Sequence, residues 1–381
     1  NIALSNSLTQ PNSNIKADSD ILGAVRRSLQ TWQNAADVDL VLESSDRQSI
    51  SPPGAAGDGV SLITAAQSPE NVLLFSKNPQ AASAKTRIFF DRRGFITEAD
   101  IVLNPFQQFS TDGSYGTFDL ESTLTHEIGH LLGLRHSPVM GSTMFENVMK
   151  NGTFGFVDLS SRNLSASDVA SIRELYGGGE KDDCCAVIAG KLNLTTARSQ
   201  RNLRVWAEDS VTGRVSAQVD GESDGSFHLG GLPESTYSIF WETNDERSGP
   251  SYGELGTVHV SKGETRNLSG NAVTRPSSIG LNYAGINGQL ADTAVPVNAG
   301  RENVIFLGGK NLDPKSLQIE FSSPFLRALP ASQISQDYGD SVSVMSFVVA
   351  VDKDTPSGEY SIFVKAADGS RASMIGALVV R

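Results

Sequence analysis

Eleven residues constrain this chain more than any other stretch: His126-Glu127-Ile128-Gly129-His130-Leu131-Leu132-Gly133-Leu134-Arg135-His136. On a helix, His126 and His130 stand one turn apart on the same face, so both imidazoles reach a single ion. Zinc takes nitrogen ligands at about 2.0–2.1 Å, and its catalytic sites keep one position for water. Glu127 lies beside the first ligand and is placed to take that water's proton as it attacks a carbonyl. Gly133 permits a sharp turn that a side chain would hinder, ending the helix and bringing His136 back as a third ligand. Three of the chain's five histidines fall in this run. An amphipathic helix with satisfied surface histidines is the alternative, and it has no need of that spacing.

Around the run, helix and strand signals alternate. Ile21, Val25, Leu29 and Trp32 recur at helical spacing within Asp18 to Asn34, with Asp18 or Ser19 placed as the cap. Thr86 to Phe90 and Ala99 to Leu103 read as strands joined by the turn-prone Asp91 to Gly94. Leu120 to Leu132 has a helical pattern behind a cap at Asp119, and a further helix fits Ser167 to Tyr176, stopped by Gly177 to Gly179. Beyond Gly177-Gly178-Gly179-Glu180-Lys181-Asp182-Asp183, a polar linker, the helical signal gives way to alternating strands. Leu203, Val205 and Ala207, then Phe227 and Leu229, then Tyr237, Ile239 and Trp241 alternate with polar residues, with turns at Thr212-Gly213 and Asp224-Gly225. A second boundary falls near Asn271 to Ser278, followed by strands at Val304 to Leu307, Leu317 to Phe321, Val342 to Val351, Tyr360 to Val364 and Ala377 to Val380.

The eleven residues match the metzincin pattern His-Glu-x-x-His-x-x-Gly-x-x-His, and Ser137 after the third histidine resembles the matrixin branch. Met144, in Ser142-Thr143-Met144-Phe145, stands where that family has its Met-turn; the resemblance implies an apolar floor beneath the metal, and a buried core methionine is nearly the same reading. Leu164 to Gly177 also resembles the closing matrixin helix, so the likeness spans most of residues 15–177. Two features of the animal relatives are missing. No histidine precedes His126, so their second, structural zinc cannot be built in the usual way; no upstream cysteine is present to act as a propeptide latch, so either latency works differently or the latch was removed with the missing N-terminus. Phe145 also replaces a tyrosine common in relatives.

The resemblance implies that the strand from Ala99 through Asp100, Ile101, Val102 and Leu103 is the substrate-binding edge, where an extended peptide adds by main-chain hydrogen bonds. Phe154 and Phe156, in the loop from Phe145 to Asn163, either wall the neighbouring pocket or simply pack the lower part of the domain. Residues 186–270 resemble the carboxypeptidase-regulatory-like (transthyretin-like) sandwich, through Gly190, Gly231-Leu232-Pro233 and Tyr237. The last stretch resembles an immunoglobulin-like module of the IPT/TIG type, through Phe306 to Leu312 and Pro356 to Tyr360. Neither carries a visible catalytic constellation.

The fold class expected is multidomain: an α+β metzincin catalytic domain (a twisted mixed sheet with an active-site helix and a C-terminal helix) followed by two all-β sandwich domains. The boundaries expected are 1–177, a linker at 178–185, then 186–272 and 273–381. Cys184 and Cys185, the only cysteines, are adjacent and cannot staple distant segments; they are free, joined to each other or, less simply, reactive. His228 and His259 read as structural, without ligand-like partners, and the Asn-x-Ser/Thr triplets at Asn151, Asn163, Asn193 and Asn267 imply glycosylation only in a eukaryotic secretory route.

The formal net charge of -12 makes the chain a poor nucleic-acid binder, since phosphate contacts need clustered Lys and Arg. No apolar run approaches the roughly 18 residues that span a bilayer. The chain begins at Asn1, for which a removed secretion signal or an engineered cut both account. The expectation is a secreted or cell-surface bacterial zinc endopeptidase. It uses one catalytic zinc on His126, His130 and His136, with Glu127 as general base and protein or peptide as substrate. The β domains are left to bind another extracellular protein or a carbohydrate. Structural calcium has no recognisable loop motif here. The competing expectations are a non-catalytic adhesion or scaffold protein built on a relic metalloprotease fold, and a zinc hydrolase acting on something other than a peptide.

Overall fold

The computed structural model describes residues 1–52, 56–80, 82–157, 160–178, 184–195, 202–245, 249–274, 277–337 and 343–381. The expected linker is therefore largely outside the described residues, at 179–183, as is Val342 at the start of one expected strand. The chain forms two compact units. The first comprises Asn1–His136 and Glu146–Leu164, and the second Ser137–Phe145 and Ser165–Arg381.

The first unit is α+β. Its sheet contains β1 (Ile2–Ser5), β2 (Leu42–Ser45), β3 (Ser61–Thr64), β4 (Ala84–Phe90) and β5 (Ile96–Leu103) in the order β2-β1-β3-β5-β4. The pairs β1–β2, β1–β3 and β3–β5 are parallel, and β4–β5 is antiparallel, so the sheet is mixed. Helices α1 (Ile21–Gln33), α2 (Pro69–Leu73) and α3 (Leu120–Leu131) accompany it, and two short strands, β6 (Phe109–Ser110) and β7 (Phe118–Asp119), pair in parallel just ahead of α3. The cap of α1 is Asp20 rather than Asp18 or Ser19, because the Asp20 carboxylate is the group that accepts the Gly23 N–H, at 3.0 Å. Ala24, Val25, Ser28, Leu29 and Trp32 form its buried face.

The second unit is largely β, with one α-helix among the described residues, α4 (Ala166–Tyr176). Its first part contains β8 (Ala186–Leu194), β9 (Leu203–Asp209), β10 (Val215–Asp220), β11 (Ser226–Leu232), β12 (Ser235–Asp245), β13 (Gly249–Val260), β14 (Thr265–Asn267) and β15 (Gly270–Ala272). One sheet runs β10-β9-β12-β13 and the other β11-β8-β14, with β15 also on β8. Alternate residues of both sheets meet in one core, including Ile188, Leu192, Val205, Ala207, Phe227, Leu229, Ile239 and Trp241. Ala170 of α4 joins this core, and Gly231 (φ +66°) is where the strand passes under the helix; a side chain there would collide with the Ala170 carbonyl.

The second part contains β16 (Gly280–Ile286), β17 (Gln289–Ala291), β18 (Val295–Val297), β19 (Glu302–Lys310), β20 (Leu317–Phe321), β21 (Leu326–Asp337), β22 (Ser343–Val351), β23 (Gly358–Ala366) and β24 (Arg371–Val380). Its sheets run β17-β16-β19-β22-β21 and β18-β24-β23-β20. Sequence pattern had indicated five of these nine strands; β16, β17, β18 and β21 carry weaker alternation. Tyr237 and Tyr360 each donate to the carbonyl four residues upstream, of Pro233 (2.9 Å) and Pro356 (2.6 Å), pinning the corner before β12 and the one before β23.

Candidate metal centre

Helix α3 is built to hold its residues still. Asp119 caps it by accepting the Ser122 N–H at 2.9 Å, while Arg162 grips the same carboxylate through two nitrogens, at 2.6 and 2.9 Å. Helix α1 packs alongside it: the Trp32 indole donates to the Thr125 carbonyl at 2.8 Å, and the Ser28 hydroxyl donates to the Glu121 carbonyl at 3.0 Å. Every residue from Leu120 to Gly129 is buried.

Past α3 the chain turns at Gly133, whose φ of +98° disfavours any other residue. The Leu134 N–H closes onto the Gly129 carbonyl at 3.0 Å, and the Leu134 carbonyl then faces His130 Nδ1 at 2.8 Å. That carbonyl can only accept, so His130 carries its proton on Nδ1 and turns an Nε2 lone pair the other way. His130 Nε2 lies 3.1 Å from His136 Nε2. Burial lowers the His130 pKa, favouring the neutral, ligating form.

One ring nitrogen from each of His126, His130 and His136 lies within 4.8 Å of the others, the single group of three or more metal-binding side chains among the described residues. Tetrahedral zinc with bonds of about 2.0–2.1 Å holds its ligand atoms about 3.3 Å apart, close to the 3.1 Å between His130 and His136, and three imidazole nitrogens are the donor type it takes. Burial is graded across the cluster, with His126 buried, His130 intermediate and His136 exposed, which leaves one side open to solvent.

Glu127 is 4% exposed, and burial pushes its carboxyl up to about 7; a hydrogen bond from the Thr86 hydroxyl and the charge of Lys85 oppose the rise. Thr86 belongs to β4 and carries no sequence signature of its own. Sequence reading missed it because only the sheet brings it to α3.

Structure corrects the expected substrate edge. Ala99, Asp100, Ile101, Val102 and Leu103 lie in β5, which is hydrogen-bonded to β3 on one side and to β4 on the other. All five residues pair with β4, Ile101 and Val102 pair with β3 as well, and all five are buried. The Asp100 carboxylate accepts the Leu62 N–H at 3.1 Å, and burial with the nearby Glu98 charge pushes it up to about 7. The strand that ends the sheet on this side is β4, with β2 at the other end.

Phe154 is fully buried, as a packing residue is, and adopts the left-handed φ of 57°, whereas Phe156 is exposed. Met144 is buried in the second unit, and its carbonyl accepts the Ser137 N–H at 2.8 Å, closing the loop that begins after His136. That loop has an organiser that sequence reading overlooked. Asp168, the third residue of α4, accepts from the Ser142 hydroxyl (2.5 Å) and from the Thr143 (2.8 Å) and Met144 (3.2 Å) N–H groups. It also completes a capping box with Ser165, the one local signal that could have singled it out. His228 does have a carboxylate partner, contrary to expectation: Glu174 of α4, with Oε1 2.5 Å from Nδ1. Cys184 and Cys185 are joined to each other.

Residues 4–177 match the Matrixin (Peptidase_M10) family model. The N-terminal part of the chain is thus a matrixin domain. Macrophage metalloelastase of Oryctolagus cuniculus is 41% identical over 68 residues, 18% of this chain and 13% of the relative. Matrilysin of Felis catus is 44% identical over 57 residues, 15% of this chain and 20% of the relative. The chain spans only 13% and 20% of the length of these two relatives. The major pilin subunit of Bacillus cereus aligns with 52% of this chain and 69% of its own, at 9% identity and a TM-score of 0.19. No helix among the described residues is long and apolar enough to cross a membrane.

Proposed function

We propose that the chain is a secreted zinc metalloendopeptidase that hydrolyses peptide bonds of extracellular proteins, with His126, His130 and His136 as the zinc ligands. The observation that carries this reading is the convergence of the three ring nitrogens, with the His130 tautomer already set by the Leu134 carbonyl. The family match and the metalloprotease relatives support the same class. When bound, zinc supplies a Lewis acid that polarises a carbonyl and makes a water acidic near neutral pH.

Glu127 is the residue we assign as general base. It takes the proton of the attacking water and passes it to the departing amine, and the Thr86 hydroxyl holds its carboxylate in place. Met144 serves as the apolar floor, by the family likeness. Because β4 rather than β5 ends the sheet, we assign the extended substrate to the β4 side, where strand addition needs unpaired main-chain groups. Domain limits at 177/178 and 272/273, and a binding role for the β regions, belong to the same proposal.

The Glu127→Gln chain is expected to bind zinc at the parental ratio and to lose cleavage of casein and gelatin. Cleavage at the parental rate would remove Glu127 from the mechanism.

A further inference from the structure

The nine residues Ser137–Phe145 follow His136 directly and contain the turn at Met144, yet they have no regular secondary structure beyond a single bridge between Ser137 and Phe145. Ordering such a segment costs conformational entropy that its own few contacts do not offset. Asp168 supplies one anchor. The second comes from the far end of the chain. Strands β23 and β24 lose register between Tyr360 and Ile362: Tyr360 faces Leu378 and Ile362 faces Met374, so Ile375, Gly376 and Ala377 crowd opposite Ser361. This is a bulge, and it frees a carbonyl from the ladder. The Ile375 carbonyl accepts the Met140 N–H at 2.9 Å.

The fit around that bond is close. Val139 is fully buried in a cluster with Trp206, Val215, Phe363 and Ile375. Gly376 sits at φ +62°, and a Cβ there would lie 2.5 Å from Val139 Cγ1. A Cβ on Gly141 would lie 2.6 Å from Val379 Cγ2 and 2.8 Å from Glu359 Cγ. Glu359 also accepts a backbone hydrogen bond from Ala166, at the start of the helix that carries Asp168.

We infer that the β24 bulge at Ile375–Ala377, with Val379 and Glu359, is a positioning element for the metal centre: it fixes the Ser137–Phe145 segment and, through the peptide bond to Ser137, the placement of His136. The inference rests on the proposed reading of the three histidines as zinc ligands.

The test uses the full chain with Gly376→Ala, Val139→Ala, the double variant, and Gly369→Ala. Gly369 (φ +86°) has no atom within 4 Å of an added Cβ, so its variant strains a turn of the same region without touching the segment. Zinc affinity is read by chelator competition, peptide cleavage as separate kcat and KM, and amide exchange at Met140, Thr143 and Met144. Gly376→Ala is expected to weaken zinc about tenfold, the scale seen when groups that orient metal ligands are disturbed. It should also lower kcat with KM little changed and speed exchange at the three amides. Adding Val139→Ala, which deletes the clashing methyl, should recover most of the zinc affinity, and Gly369→Ala should match the parent. A folded Gly376→Ala chain with parental zinc affinity, or a double variant no better than Gly376→Ala, would overturn the inference. Should Gly376→Ala not fold, Val379→Ala removes the neighbouring contact of the same segment, onto Gly141, and parental zinc affinity and exchange there would overturn it equally. A parent that binds zinc but cleaves no peptide would sink the protease reading alone, since affinity and exchange still decide this one.

Discussion

Glu208 offers a quantitative check on how the second unit is held together. It lies on β9, 2% exposed, and its Oε1 accepts both the Trp206 indole N–H (2.9 Å) and the Ser361 hydroxyl (2.6 Å). Burial pushes its carboxyl from the ordinary 4.5 up to about 7; the Ser361 and Trp206 hydrogen bonds oppose the rise, and the Glu254 charge adds to it. The folded chain therefore holds the Glu208 proton more tightly than the unfolded chain does. Its stabilising contribution is complete below pH 4.5 and is lost as pH rises through about 7. With about 1.36 kcal/mol per pH unit of difference, the loss between pH 5 and pH 8.5 is about 2.5 kcal/mol. Glu208→Gln keeps the shape and the accepting oxygen but cannot ionise. Urea unfolding of both chains, followed through the tryptophan signal of this unit, should show the variant gaining about 2.5 kcal/mol on the parent between those two pH values. Other raised carboxyls, such as those of Asp100 and Glu359, titrate in both chains and cancel in the difference. A difference flat to within about 0.5 kcal/mol would refute the reasoning, because it would mean that Glu208 is charged at no cost in the fold.

Trp32→Ala should destabilise the first unit by about 3–5 kcal/mol in chemical denaturation, since it empties a fully buried site and deletes the indole hydrogen bond to the Thr125 carbonyl. Asp168→Asn, which exchanges a charged acceptor for a neutral one, should cost about 1.5–3 kcal/mol and speed amide exchange at Thr143 and Met144. Thr86→Val should raise the Glu127 pKa further in the zinc-free chain, visible as a carboxyl shift by NMR, because the hydrogen bond it deletes favours the charged form. An unchanged Glu127 titration would show that the Thr86 contact is not formed in solution.

Much of the metal centre was legible because its grammar is local. Helix α3 combines a cap at Asp119, ligands one turn apart and a glycine at its end, all within fifteen residues or so of one another. The β4–β5 hairpin was equally plain from its turn at Asp91 to Gly94. Which of the two strands lies outside was not, because sheet order depends on pairing between distant segments. A clue was present: the unbroken apolar run Ile101-Val102-Leu103 is the pattern of a strand covered on both faces, and β5 is such a strand. Thr86 and Asp168 were missed for the same reason as the β24 bulge. Each acts on a partner far away in sequence, and nothing in Met374-Ile375-Gly376-Ala377 announces that its carbonyl serves Met140.

The central claim is that three imidazoles hold one zinc while leaving a position for water. X-ray absorption at the zinc edge of the loaded chain tests it most directly. The account predicts three imidazole nitrogens and one oxygen at about 2.0–2.1 Å. A shell containing sulfur, or one that keeps all three imidazoles when His136 is replaced by Ala, would contradict it.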